Sequence, residues 1–298
     1  MAEIGVGDAI YKDKCKKCGA KRIDQQIGLE KTPEEYVEKM VEVFREVKRV
    51  LKHDGTVWLN LGDSYNSSPS NQQCGNLPNT DKQLTAAYRS QGRKIRKIDG
   101  LKPKDLVGIP WRVAFALQSD GWWLRQDIIW HKPNPMPESV TDRCTKSHEY
   151  IFLLTKSAKY YFDNEAIKEP VAESSIERLN QNIEKQIGTT RANGGQKSNG
   201  NLKAVGDIEY GRNKRSVWTI TTQPFKDCHF AVFPPKIPEL CIKAGSKEGD
   251  TVLDPFFGSG TTGWVAQRLG RKWIGIELNA EYIKIAEKRF AQKELFAV

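Results

Sequence analysis

The stretch from Thr251 to Leu278, TVLDPFFGSGTTGWVAQRLGRKWIGIEL, restricts the fold of this chain more than any other part of its sequence. Its first residues, Thr251–Leu253, form a short apolar run that is typical of a buried strand. A turn containing Gly258 and Gly260 follows, and after it come apolar residues at helical spacing. The order strand, glycine turn, helix is that of a nucleotide-binding unit, because glycine lets a ligand approach the backbone.

The second half of this stretch completes the unit. Gly270 is placed to end the helix, and Trp273–Leu278 predicts a second strand that carries an acid, Glu277, at its end. A carboxylate in this position can accept hydrogen bonds from both hydroxyls of a ribose. The stretch therefore predicts a βαβ unit that binds a nucleoside.

The motif leaves the kind of nucleotide open. The dinucleotide pattern G-x-G-x-x-G is met between Gly258 and Gly263, but this pattern alone is weak. Asp254-Pro255 stands where the first strand ends, and its carboxylate would repel a pyrophosphate and suit a cationic ligand. Thr261-Thr262 follows the second glycine. These features favour S-adenosylmethionine, which carries a ribose and a sulfonium but no phosphate; a glycine turn without any ligand is the alternative.

DPFFGSGTT followed by IGIELN resembles the cofactor motif of DNA amino-methyltransferases, which methylate N4 of cytosine or N6 of adenine. More narrowly, it resembles the permuted class in which this motif lies near the C-terminus. The blocks LNLGDSY, GIPWRVAFAL, GWWLRQDIIWHKPNPMPES and HEYIFLLTKS match that class in the same order. The resemblance implies an α/β fold: the Rossmann-like mixed sheet of S-adenosylmethionine-dependent methyltransferases, seven-stranded, circularly permuted and with an antiparallel pair at one edge.

The resemblance also implies which residues hold S-adenosylmethionine. They lie in the glycine turn, after the second strand, and in a block before the cofactor strand: Asp254, Pro255, Phe256, Gly258, Gly260, Thr261, Thr262, Glu277, Asn279, His229, Phe230 and Phe233. The last block precedes a predicted helix that ends at Gly245. The alternative for this block is that it only packs on the sheet.

One element of the family is missing from the sequence. The family activates the amine with Asp/Asn/Ser-Pro-Pro-aromatic, whose polar groups accept the amine hydrogens while the aromatic ring stacks on the flipped base. The sole Pro-Pro of this chain, Pro234-Pro235, follows Phe233 and precedes Lys236, so it does not fit, and no catalytic residue is identified. We expect that the chain starts just after this motif and lacks one or two strands, which would leave the cofactor strand Thr251–Leu253 without one neighbour.

Charge favours a nucleic acid as the partner. The formal net charge is +10, and no apolar run approaches the length of a membrane span. Residues 66–104 are polar and basic, and they predict a mobile loop that contacts DNA phosphates, with simple solvation as the alternative. Residues 164–215 are rich in Arg, Asn and Gln, and the resemblance places target recognition there; a disordered insertion is the alternative. The predicted organisation is 1–163 and 216–298 as two halves of one domain, with 164–215 between them.

Several polar residues have two interpretations. Cys15 and Cys18 form a CxxC without a second pair nearby, so a basic surface loop is favoured over a metal site. Asp63, after a predicted strand, is either a helix cap or part of a site. His131 and His148 are interpreted as polar groups near a substrate channel. The scattered cysteines indicate a reduced, cytoplasmic protein.

The sequence thus predicts a site-specific DNA amino-methyltransferase that uses S-adenosylmethionine and acts on double-stranded DNA. A cognate restriction endonuclease is a possible partner, and a bacterial, archaeal or phage-encoded origin is expected. A catalytically inactive DNA-binding protein of the same fold is the main alternative. A nicotinamide oxidoreductase and an enzyme acting on RNA are weaker alternatives, the first because of Asp254-Pro255.

Overall fold

The structure is a computed structural model that describes residues 27–66, 100–171, 211–223 and 232–291. The chain divides into two compact units, one formed by Met1–Glu46 with Asp63–Ala116 and the other by Val47–Gly62 with Leu117–Val298. Within the described ranges, no helix is both long enough and apolar enough to cross a membrane. The basic residues at positions 89–97, the CxxC motif and most of the predicted recognition segment lie outside these ranges.

The described chain contains five helices and six strands. In chain order they are α1 (Pro33–Val50), β1 (Thr56–Leu61), α2 (Ile109–Ser119), β2 (Trp123–His131), β3 (His148–Thr155), β4 (Val217–Thr219), α3 (Lys236–Gly245), β5 (Thr251–Asp254), α4 (Thr261–Arg268), β6 (Lys272–Gly275) and α5 (Ala280–Ala291). A single 3-10 turn, Glu165–Ile167, lies between β3 and β4.

The sequence Thr32-Pro33-Glu34-Glu35 predicts a helix start with Thr32 as its N-cap, and α1 of the first unit begins there. The Thr32 hydroxyl oxygen accepts a hydrogen bond from the backbone N–H of Glu35 at 3.2 Å. The Glu35 carboxylate in turn accepts one from the backbone N–H of Lys31 at 2.9 Å. Both bonds satisfy donors that the first helical turn leaves unpaired, so the local sequence determines where this helix begins.

Asp63 serves as a cap for α2 in the same unit. Its Oδ1 accepts hydrogen bonds from the backbone N–H groups of Gly108 at 2.9 Å and of Ile109 at 3.2 Å. A negative charge at a helix N-terminus is also favoured by the helix dipole. Of its two interpretations, the structure supports the helix cap.

A four-stranded sheet in the order β1-β3-β2-β4 lies in the second unit. β3 is antiparallel to both β1 and β2, which confirms the predicted antiparallel pair. The prediction that this pair forms the sheet edge was wrong, because β4 pairs in parallel with the outer side of β2. Trp218 of β4 is buried, and Trp130 of β2 donates its indole N–H to the Ile220 carbonyl at 2.8 Å. Burial of these indoles stabilises the short extra strand.

The cofactor strand belongs to a second sheet, in which β5 and β6 run parallel with Thr251 opposite Lys272 and Asp254 opposite Gly275. The second strand is shorter than predicted, because it ends at Gly275 rather than Leu278. Within the described ranges β5 pairs with β6 alone and β1 pairs with β3 alone. The predicted loss of one neighbour of the cofactor strand stays a prediction.

Helix α3 joins the two sheets. Its apolar side chains Ile237, Leu240 and Cys241 pack with strand residues such as Ile128 and Trp130 in one core. Ile242, from the same helix, packs in a second core with Val265 and Ala266 of α4. Burial raises the pKa of the Cys241 thiol, so this cysteine stays protonated and acts as a small apolar side chain.

Three stacked aromatic rings support the cofactor turn. The ring of Trp273 stacks on Phe257 of the turn and on Phe290 of α5, with centroid distances of 5.1 Å and 4.5 Å, and the two phenylalanine rings lie 6.3 Å apart. The Phe257 ring fills the space beside two glycines. A Cβ at Gly263 would come within 2.7 Å of this ring, and one at Gly275 within 2.3 Å. The third glycine of the pattern is therefore needed to pack the helix on the ring, whatever ligand is bound.

We predict that Gly275→Ala destabilises the protein by about 1–3 kcal/mol, because the added methyl group overlaps the Phe257 ring. The cost should fall when Phe257→Ala has already removed the ring. Urea unfolding of the two single variants and the double variant would give a coupling energy of roughly 0.5–3 kcal/mol.

Gly62→Ala is the matched control, since its nearest neighbour would be the Glu149 side chain at an ordinary 3.6 Å. This change should alter the free energy of unfolding by less than about 0.5 kcal/mol. Additive effects of Gly275→Ala and Phe257→Ala would contradict the packing argument.

Candidate cofactor site

A sharp turn between β5 and α4 forms the centre of the site. Gly260 is the N-cap of α4 and has φ of +77°, and Gly258 has φ of +51°. Both values lie in the left-handed region, which glycine adopts at little cost. The backbone N–H of Gly260 donates to the Phe257 carbonyl at 2.9 Å and closes the turn. These two glycines are required by the backbone itself.

The carboxylate of Glu277 is held by two backbone amides. Its Oε2 accepts a hydrogen bond from the N–H of Gly258 at 2.8 Å. Its Oε1 accepts one from the N–H of Asn279, also at 2.8 Å. Glu277 follows the end of β6 by two residues, so it reaches back to the turn from the loop after the strand. The predicted proximity of this acid to the glycine turn is thus present.

Asp254, at the end of β5, is tied into the same turn. Its Oδ1 accepts a hydrogen bond from the N–H of Phe256 at 3.0 Å. Burial raises the pKa of this carboxyl group, and the charge of Glu277 raises it further, while hydrogen bonds from Thr262 and Phe256 partly oppose the shift. The charge of Glu277 therefore lies close enough to Asp254 to weaken the ionisation of the Asp254 carboxyl group.

Arg289 also contributes to the site, although no pattern in the sequence indicated it. From α5, its Nη1 donates to the Thr261 hydroxyl at 2.9 Å and lies 3.5 Å from the Ser259 carbonyl. Its guanidinium carbon also lies 5.0 Å from the centroid of the Trp264 ring. Burial lowers the pKa of Arg289. This arginine ties the first turn of α4 to α5.

A signal for α5 was present in the sequence. The Asn279 side chain accepts a hydrogen bond from the Glu281 N–H at 2.9 Å, as a helix N-cap does. Ile283, Ala286 and Phe290 then recur at helical spacing. From the sequence, Asn279 was interpreted only as a cofactor contact, and the helix after it was not predicted.

The structure brings together most of the predicted cofactor residues. Those in the turn, from Asp254 to Thr262, adjoin Glu277 and Asn279 through the hydrogen bonds described above. Phe233 instead packs against the core between α3 and the larger sheet, which fits the structural interpretation of its block. Its role in cofactor binding stays a prediction. His229 and Phe230 lie outside the described residues.

Two apolar side chains on either side of the turn are exposed. Phe256 is 45 % exposed and Leu278 is 81 % exposed. Large apolar side chains in such positions are often covered by a ligand or partner. Leu278 was not among the predicted site residues, although it directly follows Glu277 in the sequence.

Possible metal ligands do not cluster among the described residues. They contain no group of three or more His, Cys, Asp or Glu side chains that could hold a metal ion. Of the cysteines in these ranges, Cys144 is exposed and Cys241 is buried, and neither forms a disulfide. Cys15 and Cys18 lie outside the described ranges, so the minor possibility of a metal there stays untested.

Comparison with known sequences identifies the family. A family model described as DNA methylase (N6_N4_Mtase) matches residues 6–288. The Type II methyltransferase M.SmaI of Serratia marcescens is 46% identical over 268 residues, which is 90% of this chain and 78% of that protein. The Type II methyltransferase M.Cfr9I of Citrobacter freundii is also 46% identical, over 90% of this chain and 75% of its own length.

Solved structures agree on the fold. The PvuII DNA methyltransferase, which is cytosine-N4-specific, has a TM-score of 0.56 at 19% identity, covering 95% of this chain and 77% of that one. A DNA modification methylase from Thermus thermophilus, solved in complex with S-adenosyl-L-methionine, has a TM-score of 0.52 at 21% identity, covering 87% and 78%. This chain belongs to the DNA methylase family and is an S-adenosylmethionine-dependent DNA amino-methyltransferase.

Proposed function

We propose that S-adenosylmethionine binds at the turn between β5 and α4, with the ribose hydroxyls donating to the Glu277 carboxylate. This assignment rests on two hydrogen bonds, because the N–H groups of Gly258 and Asn279 both donate to that carboxylate. Two amide donors fix both oxygens in place, and the remaining lone pairs can accept further hydrogen bonds. The site is thus organised before the ligand arrives, which lowers the entropic cost of binding.

The charges at the turn suit this cofactor better than a dinucleotide. Asp254 and Glu277 are both carboxylates, and both would repel a pyrophosphate at the glycine turn. The positive Arg289 is engaged with Thr261 and the Trp264 ring. S-adenosylmethionine brings no phosphate, and its sulfonium supplies the electrophilic methyl group of the reaction. We assign the exposed side chains of Phe256 and Leu278 to the adenine, whose faces are apolar.

Recognition of the target sequence is assigned to residues 164–215. The described ends of this segment adjoin each other, because Glu169 and Arg212 exchange backbone hydrogen bonds of 2.9 Å and 2.8 Å. The Asn164 side chain also donates to that of Asn213 at 3.4 Å. The two described ends of the segment therefore meet at one point of the second unit, and this supports the assignment of the segment as an insertion.

The base of this segment is positively charged. A cleft of about 760 Å³ is lined there by Arg212, Lys214 and Arg215, together with Glu169. Burial acts to raise the pKa of Glu169, but hydrogen bonds and charges from Lys214 and Arg212 outweigh it and hold this pKa below its ordinary value. One carboxylate facing three cations leaves a net positive cleft, which favours the DNA backbone as its ligand.

The acceptor for the amine hydrogens is not assigned to a residue. The sequence contains no Asp/Asn/Ser-Pro-Pro-aromatic tetrapeptide. Pro234-Pro235 instead stands at the start of α3, where the Pro234 carbonyl accepts from the Ile237 N–H at 3.0 Å. The missing tetrapeptide favours the second candidate function, which is a DNA-binding protein that keeps the cofactor fold without methyl transfer. In either case we propose a cytoplasmic location and a cognate restriction endonuclease as partner.

We predict that Glu277→Ala weakens the binding of S-adenosylhomocysteine at least tenfold, because charge-assisted hydrogen bonds are each worth about 1.5–3 kcal/mol. Isothermal titration calorimetry would measure the affinity. Glu277→Gln keeps one carbonyl oxygen as acceptor and should lose less. Thermal unfolding of both variants would show whether the turn itself has collapsed.

Glu281→Ala is the control for this measurement. Glu281 is another acid nearby in the chain, exposed and paired with Lys284 at 2.8 Å, and its removal should leave the affinity unchanged. Equal affinities in wild type and Glu277→Ala would remove the ribose assignment. A loss shared equally by the Glu281 variant would point to a general charge effect.

Methyl transfer tests the function itself. Purified protein is incubated with tritiated S-adenosylmethionine and unmethylated double-stranded DNA, and the nucleosides are separated after digestion. For an active enzyme we expect label in N4-methylcytosine or in N6-methyladenine, and that label should fall in Glu277→Ala at limiting cofactor. Binding of S-adenosylhomocysteine and DNA without any transferred label would support the inactive alternative.

A further inference from the structure

A row of polar side chains crosses one face of the larger sheet where β2 and β4 end. His148 begins β3 and lies directly opposite His131, the last residue of β2. His131 lies in turn opposite Thr219, the last residue of β4, and its Nδ1 is 3.2 Å from the Thr219 hydroxyl. Directly opposed residues project from the same face, so His148, His131 and Thr219 form a continuous polar row. We call it the histidine row.

The histidine row lies at the edge of the sheet where ligands bind. β1, β2 and β4 all run in the same direction, because β1 and β2 are both antiparallel to β3 and β4 is parallel to β2. The row is therefore at the carboxyl ends of these three strands. In open α/β sheets the ligand crevice lies outside the carboxyl ends of the strands, and the cofactor turn likewise follows the carboxyl end of β5.

The surroundings of His148 are positively charged. Burial lowers the pKa of His148, and the charges of Lys146, His131 and Lys132 lower it further. The neighbouring Tyr150 contributes an uncharged ring, edge-on at a centroid distance of 5.4 Å. Each cation near His148 makes protonation of this imidazole less favourable, and a bound anion would offset this repulsion.

The nearby carboxylates have other partners. Glu149, which follows His148, projects from the opposite face, where it forms an ion pair with Lys132 and accepts a hydrogen bond from Asn60 at 3.1 Å. Glu138 forms an ion pair with Arg143 at 2.7 Å and also accepts from the Lys146 N–H at 3.2 Å. Each of these carboxylates is thus engaged with a cation or amide of its own.

We propose that the histidine row is a binding site for a backbone phosphate of the DNA substrate, and that the His148 imidazole takes up a proton when the phosphate binds. A phosphate placed there would accept hydrogen bonds from imidazole and hydroxyl donors and would offset the cluster of positive charges. The inference rests on DNA being the substrate of the chain. It adds a contact made by residues outside the cofactor turn and outside residues 164–215, although Thr219 also lines the cleft at the base of that segment.

The direction of the pH effect follows from linkage. In the free protein the pKa of His148 lies below its ordinary value of 6.5, so this imidazole is neutral at pH 7. A bound phosphate raises the pKa, so the complex holds more protons than the free protein. DNA affinity should therefore increase as the pH falls from about 8 to about 6, by up to tenfold per pH unit for each proton taken up.

The test compares the wild type with the double variant His131→Gln/His148→Gln. Affinity for a short mixed-sequence duplex is measured by fluorescence anisotropy at about pH 6 and pH 8, with S-adenosylhomocysteine present. We expect a three- to tenfold gain for the wild type on acidification and a clearly smaller gain for the variant. The salt dependence of the wild type should also steepen at the lower pH, by about one unit of slope.

His53→Gln provides a matched control. His53 is exposed and precedes β1, at the opposite end of the strands from the histidine row. Its removal should leave the pH dependence of the wild type in place, while any general effect of losing a histidine would appear in it too. Circular dichroism would confirm that every variant is folded.

A second measurement reports on the site directly. The His148 ring proton, identified by its disappearance in His148→Gln, is followed by NMR during a pH titration with and without the duplex. The proposal requires a higher pKa in the complex. A pKa that the duplex leaves unchanged, or a double variant with the pH dependence of the wild type, would overturn it. Failure of the wild type to bind DNA at either pH would refute both this proposal and the assignment of DNA as the substrate.

Discussion

A carboxylate held by two backbone amides organises the cofactor region of this methyltransferase. Glu277 accepts from the N–H of Gly258 on one side and from the N–H of Asn279 on the other, and so joins the glycine turn to the start of α5. These two hydrogen bonds stabilise the turn with its left-handed glycines, because ordering an isolated turn of this kind costs much conformational entropy. Glu277 thus connects the turn, the second strand and the final helix, and its carboxylate is also the group that we assign to the ribose of the ligand.

Local patterns in the sequence were sufficient to predict most of the elements. The α1 helix begins where its capping residues indicate, because hydrogen bonds within a few residues determine its start. The glycine turn and its acid were found for the same reason. Long-range pairing was harder to predict. The addition of β4 outside β2 depends on the burial of Trp218 against distant residues, and no local pattern encodes that contact.

The candidate site shows the same division between local and distant contacts. The turn and Glu277 could be found from spacing, whereas Arg289 reaches Thr261 from a helix further along the chain. The two histidines were interpreted from the sequence as polar groups near a substrate channel. Their relation became visible only in the register of β2 and β3, which places them opposite each other. A register is a property of paired strands, and one strand alone does not specify it.

The stack beneath the turn affects how such motifs vary among relatives. Gly263 and Gly275 are constrained by the ring of Phe257, since a methyl group on either would overlap it. A relative with a smaller side chain in place of Phe257 has room for alanine or serine at both positions. These three positions should therefore change together through evolution. A search that requires all the glycines would then overlook relatives that bind the same cofactor over a smaller side chain.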